Sequence, residues 1–63
     1  MTKEDVMERI ENARVDLFFA VDDAAKLNGI LLEDLPLTVR KSWLNAREAI
    51  LKCEVYLKDY LNA

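Results

Sequence analysis

Sixty-three residues with a net charge of −3, no histidine, one cysteine (Cys53) and 52% apolar side chains make one domain at most. A chain this short buries only about 60% of its unfolded surface, and a disulfide, a metal or a partner subunit usually makes up the difference. The lone thiol excludes an internal disulfide and the absent histidine argues against structural zinc, so self-association is the remaining aid; the acidic balance argues against nucleic acid, and no apolar run is long enough to span a membrane.

The opening Met1-Thr2-Lys3-Glu4-Asp5 lacks the basic-then-apolar order of a secretory signal. With a free thiol expected to be buried, this points to a reducing cytoplasm, that of a bacterium or of the host of a phage or plasmid protein. Thr2 is a good N-cap and Asp5 occupies the capping-box position three residues on. The first helix is predicted over about 3–28, closing where Gly29 can turn left-handed. At 1.5 Å per residue it spans roughly 37 Å.

The connection, about 29–35, is unusually apolar, and it holds Ile30, Leu31 and Leu32. Asp34 is the predicted N-cap of the second helix, about 36–61, with Leu35 and Pro36 in its first turn, where proline is tolerated. Both helices carry an apolar stripe with strict 4-3 alternation: Val6, Ile10, Ala13, Leu17, Ala20, Ala24, Leu27, then Val39, Trp43, Ala46, Ile50, Cys53, Leu57, Tyr60. Two equal helices, a short link and coiled-coil spacing predict an all-α antiparallel two-helix hairpin. In register, Ala24 lies near Trp43, Leu27 near Val39 and Val6 near Tyr60. Ala20 on Ala46 and Ala13 on Cys53 are small-on-small layers that leave space. That space is a second reason to expect dimerisation into a four-helix bundle.

Further apolar residues lie off these stripes. Met7, Phe18, Val21 and Ala25 widen the first. Leu37, Leu44 and Leu51 recur every seven residues, with Val55 beside them, about 100° from the second stripe. This row is the candidate self-association surface. Val15 and Phe19 sit almost opposite the first stripe; with Ile30, Leu31 and Leu32 they are the candidate surface for another protein, since uncovered apolar rows mark interaction sites.

Chemistry is sparse. Nucleophilic catalysis needs a nucleophile held beside a base, and Cys53 has no histidine to activate it. One glycine cannot build a phosphate-binding loop, and Asp22-Asp23 reads as solvated surface. No catalytic, cofactor-binding or metal-binding residue is assigned, and no enzyme activity is expected. Arg40, Lys41 and Arg47 are the only candidates for nucleic-acid contact, and they form no dense cluster.

The architecture resembles the Rop family of plasmid RNA-binding regulators, which dimerise as a four-helix bundle of hairpins. Met1-Thr2-Lys3 and Lys26-Leu27-Asn28 are similar, whereas the apolar loop, Pro36, Trp43 and Phe18-Phe19 depart from it. Helix one lacks the spread of basic and polar residues that would grip RNA, and likeness of fold says little about function. The expectation is a small protein-binding regulator, adaptor or inhibitor acting as a homo-oligomer. A Rop-like nucleic-acid regulator and a structural subunit of a larger assembly are the alternatives.

Overall fold

The computed structural model describes all 63 residues and contains two α-helices of equal length, α1 (Lys3–Leu27) and α2 (Leu37–Leu61). They run antiparallel, joined by a linker with one turn of 3-10 helix at Leu32–Asp34. The hairpin measures 45 × 19 × 10 Å, a slab one helix thick. Neither helix is long and apolar enough to cross a membrane.

Both ends of α1 form as their residues dictate. The Thr2 hydroxyl accepts from the Asp5 backbone N–H at 3.2 Å, and the Asp5 carboxylate accepts from the Thr2 N–H at 3.0 Å. These two bonds satisfy donors that no helical carbonyl can reach. At the other end Gly29 takes φ +68°. Its N–H bonds to the Lys26 carbonyl at 3.0 Å, and the Ile30 N–H reaches back to the Ala25 carbonyl at 3.1 Å. This is the paired 5→2 and 6→1 pattern of a Schellman cap.

The start of α2 differs from expectation. Asp34 belongs to the 3-10 turn, Pro36 is the N-cap, and no side chain caps the helix. The cause is steric: the proline ring disfavours helical geometry in the preceding residue, so Leu35 stays extended at φ −60°, ψ 149° and the helix cannot begin earlier. The Arg40 side chain then ties the junction down, its Nε donating to the Leu35 carbonyl at 2.9 Å.

The seam also departs from the heptad stripes. On α1 the less exposed residues are Val6, Met7, Ile10, Arg14, Leu17, Val21, Asp22 and Ala25, while Ala13, Ala20, Ala24 and Leu27 face solvent. On α2 Trp43, Ala46, Ile50 and Leu57 remain in the seam, but Glu54 and Leu61 replace Cys53 and Tyr60. Leu27 and Tyr60 are 88% and 77% exposed, so the pairings Leu27–Val39 and Val6–Tyr60 do not form core layers. A straight helix loses about 20° per heptad against a 3.5-residue repeat. Over three heptads the stripe drifts off the contact line, and the next residue moves in. That shift exchanges small side chains for larger ones, placing Val21 where Ala20 was expected.

Only Ala25 and Leu35 are fully buried, at 1% and 4% exposure. The core therefore sits at the linker end, where Leu35 closes over the last turn of α1 with Ile30 and Leu32 half-buried beside it. Two substitutions test this anchor by urea unfolding at fixed protein concentration. Leu35→Ala is expected to cost about 2–4 kcal/mol. Gly29→Ala has open space for its Cβ, so it should cost only the left-handed backbone strain of about 1 kcal/mol.

Candidate interaction surface

The one-residue shift of the seam, about 100° of helix rotation, reorganises the surface. Arg14 and Glu54 enter the contact line one residue beyond the expected Ala13–Cys53 layer. They form an ion pair at 3.3 Å between Arg14 Nη1 and Glu54 Oε2, each side chain about one-third exposed. The middle of the hairpin thus holds a charged clasp rather than a small-on-small gap. Cys53, expected in the core, is exposed because it has rotated past the contact line.

The same rotation brings Val15 round from the back of α1. It lines an open groove with Phe18, Trp43, Arg47 and Leu51, floored by Arg14. Phe18 packs against Trp43 across the seam with ring centroids 6.0 Å apart. Phe19 meets Phe18 edge-on at 5.7 Å, both within the range of favourable aromatic geometry. A second groove continues toward the linker, where Trp43 is joined by Leu31, Leu32, Leu37 and Leu44, with Asp22, Glu33, Arg40 and Lys41 at its polar margin. A third continues toward the open end, between Glu4 and Met7 on α1 and Glu54, Lys58 and Leu61 on α2.

The two rows expected to serve different partners therefore border one face. Leu37, Leu44 and Val55 are 55%, 48% and 59% exposed, and Val15 and Phe19 are 42% and 54% exposed. Leu51 is half-buried in the central groove. Of the three candidate linker residues Ile30, Leu31 and Leu32, only Leu31 is largely free, at 62% exposure. Ile30 and Leu32 are half-buried and support the turn. Sequence reasoning missed Arg14 as a seam residue, though its spacing of four from Ile10 and three to Leu17 carries that signal.

The opposite face is flatter. Leu17, Val21, Val39, Ser42 and Ala46 line a shallow depression there, which the Trp43 indole also borders from the seam, and the small residues Ala13, Ala20 and Ala24 flank it by helical position.

Some of the charges around the main face are engaged within the hairpin. Arg40 is committed to the Leu35 carbonyl, and Asp22 and Glu33 share the groove that Arg40 and Lys41 line. Arg47 borders the central groove. The three candidate nucleic-acid contacts are thus divided between two adjoining grooves, Arg40 and Lys41 in one and Arg47 in the other. Lys26 Nζ bonds to Asp22 Oδ2 at 2.9 Å; that hydrogen bond first, then the carboxylate charge, raise the ammonium above its ordinary 10.5. The pair is intact at neutral pH and weakens only as pH climbs through the alkaline range where the folded-state ammonium deprotonates.

No protein-family model matches the chain, and neither a curated protein nor a solved structure does.

The clasp is tested by a double-mutant cycle on Arg14→Ala and Glu54→Ala. The expected coupling is about 0.5 kcal/mol, as for partly exposed pairs, and it should shrink as salt is raised. A coupling near zero at low salt contradicts the pair.

Proposed function

We propose that this chain is a non-enzymatic protein-interaction module whose working unit is a homo-oligomer of helical hairpins, serving as a small regulator, adaptor or inhibitor. One observation supports the reading: the hairpin exposes more surface than a compact chain of its mass. A compact monomer of 7.3 kDa exposes about 4,200 Å², whereas this chain exposes 5030 Å². The excess of about 800 Å² comes from a slab one helix thick, which leaves one side of each helix without a protein neighbour. The radius of gyration gives the same sense, 14.3 Å against about 11 Å for a compact chain of this length.

The face around Trp43 supports this reading, because it is apolar, continuous and bounded by charge. An apolar centre with a polar rim is the usual anatomy of an interface. On this reading Leu37, Leu44, Leu51 and Val15 are covered by another copy. Phe19, at the margin, and Leu31, at the turn, stay available to a second protein. An aromatic anchor suits that task, since binding energy concentrates in a few such side chains. Nucleic acid is less favoured, because Arg40 is engaged and acidic groups sit beside Lys41.

Leu44→Asp tests the reading directly. The side chain is half-exposed in the hairpin, so helix content by circular dichroism should be unchanged, while the mass by light scattering should fall from oligomer to monomer. A wild-type chain that is monomeric at high micromolar concentration overturns the homo-oligomer. Phe19→Asp, in turn, is expected to keep the oligomer mass yet lose capture of a partner protein from the source cell's extract. Capture equal to wild type removes Phe19 from the binding surface.

A further inference from the structure

We infer that two copies dock through the face around Trp43 with their linker ends together, so that α1 of each copy lies on α2 of the other. The inference rests on the homo-oligomer reading and adds its geometry. A one-helix-thick slab can stack face to face on a second copy about two different two-fold axes. An axis along the hairpin's length keeps the linkers at one end and sets α1 against the partner's α2. An axis across the helices puts the linkers at opposite ends and sets α1 on α1 and α2 on α2.

Charge separates the two. Helix α1 carries four basic and seven acidic side chains, a net of −3, and α2 carries five basic and three acidic, a net of +2. Linkers together places the acidic helix on the basic one at both contacts, while linkers apart stacks like on like. Juxtaposed like charge is costly at an interface and selects against the wrong arrangement. On the docking face itself, Lys3 and Glu4 of α1 and Glu54 and Lys58 of α2 border the same groove at the open end, and the Arg14–Glu54 pair is closed within the hairpin. A partner related by the long axis presents its Glu4 at the height of Lys58, and neither side chain is paired within the hairpin.

The aromatic cluster gives a second, independent reason. Phe18 and Trp43 lie off the midpoint of the 25-residue helices, toward the linker. A two-fold axis along the hairpin brings both copies of this pair to one level, forming a four-ring centre. An axis across the helices displaces the two pairs along the bundle and leaves each facing helical surface.

The test places one spin label per chain at the linker end, using Asn28→Cys in a Cys53→Ser background. Asn28 is exposed and borders none of the grooves on the docking face. Mass is measured in parallel on the wild-type chain under reducing conditions. With linkers together the two labelled backbones sit on adjacent or diagonal helices, giving a separation under about 25 Å. With linkers apart they are separated by roughly the length of α1, about 37 Å. Ala63→Cys, at the opposite end, repeats the measurement at a site that cannot disturb the cap. A dimer with short distances at both sites is the expected result. A dimer with long distances overturns this geometry and leaves the homo-oligomer standing. A monomer overturns both, and a trimer or larger assembly overturns the two-fold docking.

Discussion

Two straight helices laid side by side can hide only a narrow strip of each, and this geometric limit shapes everything else in the molecule. The strip along the seam accepts one or two side chains per turn, which for this chain means Ile10, Leu17 and Val21 against Trp43, Ile50 and Leu57. None of these is fully buried, since a slab 10 Å thick has no interior. The only dry positions are Ala25 and Leu35, where the linker adds a third wall. The apolar linker is thus part of the core, and its hydrophobicity follows from the lack of any other roof over that end of the seam.

The same limit explains the surface. A chain with 52% apolar side chains and one seam must leave much of that apolar area in water. Water contact with a continuous face costs free energy in proportion to area, on the order of 25 cal/mol per Å². The grooves around Trp43 hold part of that exposed apolar surface, with Val15, Leu37 and Leu44 in their walls. Charge is arranged around this face: the clasp of Arg14 and Glu54 fills the seam, Arg40 secures the linker, and the net charges of the two helices have opposite sign.

Much of the hairpin was legible from residue type. The cap at Thr2 and Asp5, the stop at Gly29 and the near-equal helix lengths follow from local preferences that depend on a few neighbouring residues. Asp34 misled because two local rules compete there. Its side chain favours an N-cap, but Pro36 forbids Leu35 the helical geometry that such a cap requires, and sterics outweigh a single hydrogen bond. The seam misled for a different reason. A 4-3 alternation keeps its place on the contact line only in helices that supercoil, and here the contact line passes to Arg14 and Glu54 in place of Ala13 and Cys53.

The candidate surface shows the same division. That Leu37, Leu44, Leu51, Val55, Val15 and Phe19 exceed what one seam can hide is a count of apolar positions on a helical wheel, and it needs only the sequence. That Val15 shares a groove with Leu51 and Trp43, so that rows on different helices border one face, depends on how far each helix is rotated about its own axis. Local chemistry determined where the helices start and stop, because capping and turning involve residues within a few positions of one another. The tertiary structure decided which sides of those helices meet, because that rotation is set by packing between residues some forty positions apart, as Arg14 and Glu54 are.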